Sequence, residues 1–434
     1  GAAYTNIDDL NPLVRTESII DTCNPKLIIA DSDSLGNGPI ESLVLSKKIK
    51  FFQPSNFHFQ NFSDQNLQNS KDIIGTAPAY IMFTSGSTGK PKGVTVSHAN
   101  VLSFLGWSIN RYEVTSIDVF AQVSPMYFDN SVFDFYTALF SGASLVPIKR
   151  EVAKSPGELV NLVDSMRCTI WFSVPSLLVY LQTMKVLNEK TFQSVRIFTF
   201  GGEGFPKNEL KKLFNLYSEQ SKLINVYGPT EGTCICSSYE VVEKDFEDMK
   251  SLAPIGSINQ NFDYLVLDNQ MEKVGFGENG ELCLAGPNVA LGYYNDIDRT
   301  AQNFIQNPTI STHKDIIYRS GDIVREKDGL LWFVGRIDNQ IKHMGYRIEL
   351  EEIESALNSL QGITESAVVY HRAQVNYGKI VAFVGSKIVK SESQLKNALR
   401  QLLPEYMIPS IINIESVLPK NQNGKIDKKA LNVD

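Results

Sequence analysis

The sequence predicts an α/β protein: a large N-terminal region of packed parallel sheets with helices, a β-rich subdomain, and a small mobile α+β C-terminal domain. Three observations predict it. Between residues 79 and 230, apolar β-rich runs alternate with helix-like segments, as in parallel sheets covered by helices. From about 262 to 335 the pattern turns to short strands and glycine turns, and after Arg336 it becomes a compact mixture of helices and short strands. At roughly 150 residues per domain, the 434 residues hold two or three such units, divided here into 1–335 and 336–434.

Each element has its own signal. Strand-like runs at 119–123, 169–172 and 195–200 are followed by helix patterns at 131–140, 175–184 and 206–217. Pro175 and Pro206 mark the first turns of the last two, where a missing N–H leaves no bond unmade. A run at 223–226 leads into YGPTE, and runs at 264–267 and 281–284 belong to the β-rich part. Helices are expected near 349–360 and 393–403. The Asn-, Gln- and Phe-rich segment 52–69 is expected to be a surface loop. Gly1 to Ile7 open so abruptly on an apolar segment that part of a domain is expected to precede them.

Composition narrows the function classes. With 43% hydrophobic residues the chain can bury large cores. A net charge of −7 without a basic block offers nothing to nucleic acid or to an anionic membrane. The five cysteines are odd in number and scattered, and Cys234 and Cys236 stand too close for the usual zinc spacing, which points to a reducing cytoplasm. No stretch approaches about 18 unbroken apolar residues, and no signal peptide opens the chain.

Three polar insertions follow strand-like runs: TSGSTGKPKG at 84–93, GGE at 201–203 and YGPTE at 227–231. Ligands of parallel sheets gather at such loops. In the first, backbone N–H groups and the hydroxyls of Thr84, Ser85, Ser87 and Thr88 can wrap phosphate oxygens, while Gly86 and Gly89 permit close approach and Lys90 and Lys92 add charge. It is not a Walker A loop, because Thr84 stands where that motif needs glycine, and Gly86, Gly89 and Gly93 do not have the Rossmann spacing. Alone, the same composition would suit a flexible linker. A second lysine-bearing turn, NGKIDKKAL at 423–431, carries Lys425. Together the two loops suggest ATP chemistry on a carboxylate.

The ordered motifs GAAY, YIMFTSGSTGKPKG, FDNS, NVYGPTE, GELCLAG, YRSGD, GRIDNQIKHMGYRIELEEIE, LPEYMIP and NGKIDKKAL run over nearly the whole chain. In them the chain resembles the adenylate-forming superfamily. It is most similar to the amino-acid adenylation domains of nonribosomal peptide synthetases and to their relative, D-alanine–carrier protein ligase. The resemblance implies two half-reactions. An amino-acid carboxylate attacks the α-phosphate of ATP, giving aminoacyl-AMP and pyrophosphate; the phosphopantetheine thiol of a peptidyl carrier protein then takes the aminoacyl group. The first step sets an anion against a polyanion, so cations and Mg²⁺ are implied.

The same resemblance implies roles. Lys425 would bridge the substrate carboxylate and phosphate or ribose oxygens; its bland alternative is a solvated lysine beside Lys428 and Lys429. Thr84 to Lys90, with Gly201 and Gly202, would hold ATP. Asn225, Val226, Tyr227, Gly228, Pro229 and Thr230 would run along the nucleotide, with Tyr227 against adenine, Thr230 on the α-phosphate and Glu231 on Mg²⁺. Asp322 would accept two hydrogen bonds from the ribose diol, and Arg336 would lie near ribose and phosphate. Asp338 is the hinge position, its bland alternative a surface turn; the swing would present Lys425 in one half-reaction and the segment at Gly345 in the other.

Asp129 matches the aspartate that pairs with the substrate's α-ammonium group in amino-acid-activating members. Its alternative is an N-cap for the helix beginning near Ser131. Position by position, the side-chain pocket would be Asn130, Phe133, Phe172, Phe198, Phe200, Val226, Cys234 and Ile235. Apart from Asn130 these are apolar, which argues for an uncharged substrate side chain. Gly201 stands where D-alanine ligases carry a cysteine, although HMGYR resembles their HGYR. Two further readings stay open: an acyl-CoA or aryl-acid ligase, opposed by Asp129, and an inactive nucleotide-binding module, opposed by Lys425, Glu231 and Asp322.

Overall fold

A computed structural model describes residues 2–31, 39–54, 73–86, 89–371, 378–386, 391–421 and 425–431. Ser87, Thr88, Asn423, Gly424 and most of the expected surface loop at 52–69 lie outside the described residues.

The alternating apolar runs build a seven-stranded sheet, ordered Ser257–Ile258, Ser237–Glu240, Lys222–Tyr227, Ile197–Gly201, Ile170–Ser173, Val119–Gln122 and Ser144–Pro147. The last five run parallel, and the first two join antiparallel at one edge. Helices Asn130–Ser141, Pro156–Ser165, Pro175–Thr183 and Lys207–Tyr217 alternate with these strands. Pro175 sits in the first turn of its helix, and Pro206 stands one residue before the next.

Ile170–Ser173 and Ile197–Gly201 are buried along their whole length, as strands covered on both faces must be. The strand alternation sorts their side chains into two cores. Phe120, Ile170, Phe172, Ile197, Ile224 and Val226 belong to one. Ala121, Trp171, Phe198, Phe200 and Leu223 belong to the other.

A three-stranded antiparallel sheet, Gly292–Tyr293, Lys92–Ser97 and Pro78–Thr84, flanks the first and delivers the chain into the loop after Thr84. The expected β-rich stretch is an antiparallel sheet of Asp263–Leu267, Asn279–Ala285, Ile316–Lys327 and Phe304–Gln306, with Leu330–Arg336 paired on its long strand.

After Arg336 comes a hairpin, Gln340–His343 with Tyr346–Glu349. Its two-residue turn, Met344 and Gly345, has φ of 51° and 81°, the positive values that such hairpin turns require. The second strand runs directly into helix Leu350–Asn358. A sheet of Ile363–His371, Lys379–Ser386 and Ile411–Glu415 and helix Glu392–Leu399 complete this part. Ser391 and Gln394 form a capping box that starts the last helix. Both helices end short of the expected 360 and 403. The core here, from Ile341 to Ile412, is separate from those of the large region. Among the described residues no helix is long and apolar enough to cross a membrane.

Candidate active site

A cavity of about 450 Å³ opens where the strand ends of the large region meet the 340–349 hairpin; Asp129, Thr230, Asp322, Arg336, Lys342 and Arg347 are among its lining residues.

At one end lies the expected phosphate loop. Gly86 has no room for a side chain, since a Cβ would stand 2.1 Å from the Lys90 carbonyl. Its own carbonyl accepts the Gly89 N–H at 3.0 Å, and Gly89 has φ of 79°. This turn faces the hairpin and the helix after it. The Ser85 hydroxyl donates to the Arg347 carbonyl at 2.6 Å, and the Gly86 N–H donates to Glu352 Oε2 at 3.2 Å. Glu352 also pairs with the buried Arg15. Lys90 is exposed, so its charge points to solvent.

Glu231 sits beside this loop on the short turn Thr230–Gly232 and is fully buried. Arg347 Nη1 lies 2.7 Å from its Oε2, the Tyr293 hydroxyl donates to Oε1 at 2.8 Å, and Lys92 Nζ stands 3.4 Å from Oε1. Burial opposes ionisation, but Arg347 and Lys92 outweigh it and hold the carboxyl far below the usual range. Burial and the Arg347 charge in turn bring the Lys92 ammonium down to about 8.

The other end is assembled from two strands of the β-rich sheet, which carry Asp322 and Arg336, and from Tyr227 at the end of a strand of the seven-stranded sheet. The Tyr227 hydroxyl donates to Asp322 Oδ2 at 2.5 Å, and Arg336 Nη1 donates to Oδ1 at 2.6 Å. Arg336 also grips Asp338 with two bonds, at 2.6 and 2.7 Å. Lys342, from the hairpin, lies 5.1 Å from the centroid of the Tyr227 ring. Its ammonium is pushed down by burial.

Asp129 occupies the wall between the two ends. It precedes helix Asn130–Ser141 but makes no capping bond. Its Oδ2 instead accepts the Thr230 hydroxyl at 2.7 Å, so the N-cap alternative fails. Burial raises this carboxyl, and the Thr230 bond opposes the rise.

Of the remaining expected residues, Thr84, Asn130, Phe172 and Cys234 line the cavity. Gly202, Val226, Gly228 and Pro229 line it too. Gly201 is buried behind them, and a Cβ there would stand 2.4 Å from the Val226 carbonyl. The Asn225 amide turns away and donates to the Pro254 carbonyl at 2.8 Å. Phe133 packs against Phe172 at 5.5 Å, and Ile235 is buried in the same core; neither lines the cavity.

Phe198 and Phe200 require a correction. Both point into the opposite core, where Phe198 lies 5.0 Å from Tyr217 and Phe200 5.0 Å from Phe205. The residue on the Phe172 face is Thr199, paired with Phe172 across the strands. A one-residue slip exchanges the faces of a strand.

Lys425 is also outside the cavity. It is exposed on the C-terminal turn, where its backbone N–H donates to Asn421 Oδ1 at 3.1 Å. Arg347, Lys342 and Glu352 lie inside the expected motif GRIDNQIKHMGYRIELEEIE but carried no assigned role; their pairing across more than a hundred residues is not written in local spacing. The same holds for Glu203, which accepts the N–H groups of Ser176 at 2.7 Å and Gly345 at 3.1 Å. All five cysteines are free, and among the described residues no group of three or more His, Cys, Asp or Glu side chains could hold a metal ion.

Comparison with known proteins bears on this arrangement. The model of the AMP-binding enzyme family matches residues 1–294, and that of the AMP-binding enzyme C-terminal domain matches 352–425. Bacitracin synthase 1 of Bacillus licheniformis is 34% identical over 432 residues, 99% of this chain but 8% of that protein. The chain thus spans less than a tenth of the first long synthetases it matches. D-alanine–D-alanyl carrier protein ligase of Listeria monocytogenes is 31% identical over 441 residues, covering 100% of this chain and 84% of that one. Among solved structures, the Vibrio cholerae adenylation domain AlmE in complex with glycyl-adenosine-5'-phosphate superposes with a TM-score of 0.82 at 25% identity, over 98% of this chain and 83% of that one. A family match over more than half of the chain, with a relative matched along most of both lengths, leads to one conclusion: the chain belongs to the AMP-binding enzyme family.

Proposed function

We propose that the chain adenylates an amino acid with ATP and passes it to the phosphopantetheine thiol of a carrier protein. The observation that carries this reading is Asp129, a carboxylate at the cavity wall that caps no helix and is held by Thr230. A half-buried carboxylate that faces a cavity is best balanced by a cationic partner. An α-ammonium group supplies one, whereas acyl and aryl acids bring none. The names of relatives that load carrier proteins support the thiol acceptor.

In the first half-reaction a substrate carboxylate oxygen bonds to the α-phosphorus as the bond to the β-phosphate oxygen breaks, and pyrophosphate leaves. Asp129 would fix the ammonium end, which orients the carboxylate. Asp322 offers two acceptor oxygens to the ribose diol in place of Tyr227 and Arg336. Lys425 would be brought to the reacting oxygens by rotation about Asp338. Magnesium is expected with ATP. With the hairpin docked, however, both oxygens of Glu231 are taken by Arg347, Lys92 and Tyr293, so these residues do not fit the ion in this arrangement.

The side-chain pocket supports an uncharged substrate. Phe172, Val226 and Cys234 line it with Asn130, and the neighbouring strand sets the buried Thr199, not Phe198 or Phe200, beside Phe172. Gly201 remains the feature that speaks against D-alanine. The test is ATP–pyrophosphate exchange across a panel of amino acids, fatty acids and aryl acids. Exchange driven by uncharged amino acids supports the proposal; exchange driven only by acids without an amine refutes it.

A further inference from the structure

The N-terminal segment is fixed to the large region by bonds of its own. Asn6 Nδ2 donates to the Met126 carbonyl at 2.9 Å, and Arg150 Nη2 stands 2.7 Å from Asp8 Oδ1 and 3.0 Å from Asp9 Oδ1, so none of these bonds uses a residue after Asp338. Helix Leu13–Cys23 follows, and Arg15 in its first turn pairs with Glu352 on helix Leu350–Asn358 of the C-terminal part. The two side chains are 7% and 2% exposed, which makes this a desolvated ion pair and not a surface contact. Burial opposes the Arg15 charge, and the Glu352 charge outweighs it. Aromatic rings continue the same interface. Tyr346 and Tyr406 of the C-terminal part stack at 3.6 Å with planes 18° apart, and Tyr346 meets Phe128 of the large region edge-on at 5.0 Å. Burial raises the Tyr406 hydroxyl to about 12, with Arg15 opposing and Glu352 adding to the rise, so the stack stands beside the ion pair.

We propose that Arg15 is a positioning residue for the thiol half-reaction: a fixed guanidinium on the large region that receives Glu352 and so holds the C-terminal part in its docked placement. This rests on the adenylation reading of the site. A buried carboxylate stripped of its cation is costly to keep, so loss of Arg15 should drive Glu352, and with it the C-terminal part, out of the docked placement. In the rotated placement that would bring Lys425 to the cavity, Glu352 would already have left Arg15. The pair therefore weighs on one of the two placements and not on the other. The first half-reaction should not depend on it.

The test reads placement and chemistry separately. Energy transfer between fluorophores on the exposed Ser165 and Ser393 reports where the C-terminal part sits, with no substrate present. In Arg15→Met, which keeps the apolar stem and removes the charge, the signal should leave its wild-type value. Transfer from supplied aminoacyl-AMP to added pantetheine should then fall by roughly tenfold or more, while amino-acid-dependent pyrophosphate exchange stays within about twofold. Arg15→Lys should recover part of both losses. Arg15→Met combined with Glu352→Gln leaves no charge unpaired, so it should dock and transfer better than Arg15→Met alone, a coupling that a merely structural role would not produce. Glu352→Gln, which strands Arg15 instead, should move the signal in the same direction and serves as the independent variant should Arg15→Met fold poorly. An unchanged signal in either folded variant overturns the proposal, as does an equal fall in exchange and transfer. A failed amino-acid panel would refute the adenylation reading while leaving the substrate-free signal measurable.

Discussion

The two ends of the cavity draw their charges from different parts of the chain. At the ribose end, Asp322 and Tyr227 come from the large region and Arg336 stands at its boundary, and the bonds among the three use no residue after Asp338. At the phosphate end, Glu231 and Gly86 are answered by Arg347 and Glu352, from beyond it. One end is therefore preformed, whereas the other exists in a closed form only while the hairpin is docked. Lys425 teaches the same lesson from the opposite side: with the hairpin docked, it stands exposed on its turn. Arg347 lines the cavity and Lys425 stands outside it; on the proposed rotation about Asp338 the two would change places.

The largest effect expected from this contrast is on Lys425. Lys425→Ala should slow aminoacyl-AMP formation by roughly a hundredfold or more, the scale of losing one preorganised charge. Transfer from supplied aminoacyl-AMP should fall far less. Rapid-quench measurement of each half-reaction checks this, and equal losses would mean that the lysine serves both arrangements or neither.

A smaller effect is expected at the boundary itself. Asp338 holds Arg336 through two bonds, at 2.6 and 2.7 Å. Asp338→Pro removes that grip and fixes φ near −65°, which should hold the C-terminal part in one placement. Pyrophosphate exchange should survive while carrier loading falls by about an order of magnitude, as expected when a domain movement is blocked. Unchanged carrier loading would show a static domain.

A third effect falls on stability and not on a rate: a pH dependence. Lys92 releases its proton at about 8 in the folded protein, from an ordinary value of 10.5. Between those values the unfolded chain binds a proton that the folded chain lacks, so stability should rise with pH across the window, by up to about 3 kcal/mol. Below pH 8 both states are protonated and the slope vanishes. Lys92→Met should remove the slope in urea unfolding at pH 8, 9 and 10. Arg347→Gln should flatten it, because the Arg347 charge is one cause of the depression.

The architecture was legible because alternating runs and proline-started helices state a covered parallel sheet directly. The residues between 119 and 227 fall on strands and helices close to where the pattern put them. Register was less legible at Ile197–Gly201. This strand is buried on both faces, and in its sequence, IFTFG, Ile197 and Thr199 stand on one face and the rings of Phe198 and Phe200 on the other, so apolar character alone does not mark the face that neighbours the cavity. Asn225 lay within a recognisable motif, yet its amide serves the Pro254 carbonyl. Motif order names a neighbourhood, and only the fold gives each side chain its direction. The partners of Glu231 and Gly86 were illegible for another reason. They depend on how the C-terminal part docks, and no local pattern around Arg347 or Glu352 encodes that.

The most direct test of the functional reading compares one amino acid with its desamino counterpart in ATP–pyrophosphate exchange, for the wild type and for Asp129→Asn. Asn keeps the shape of the side chain and removes its charge. The wild type should use the amino acid at least a hundredfold better, the scale set by a buried charge pair, and Asp129→Asn should lose most of that preference. Equal use of both acids by the wild type, or an undiminished preference in the variant, would contradict the assignment of Asp129 to the substrate's amine.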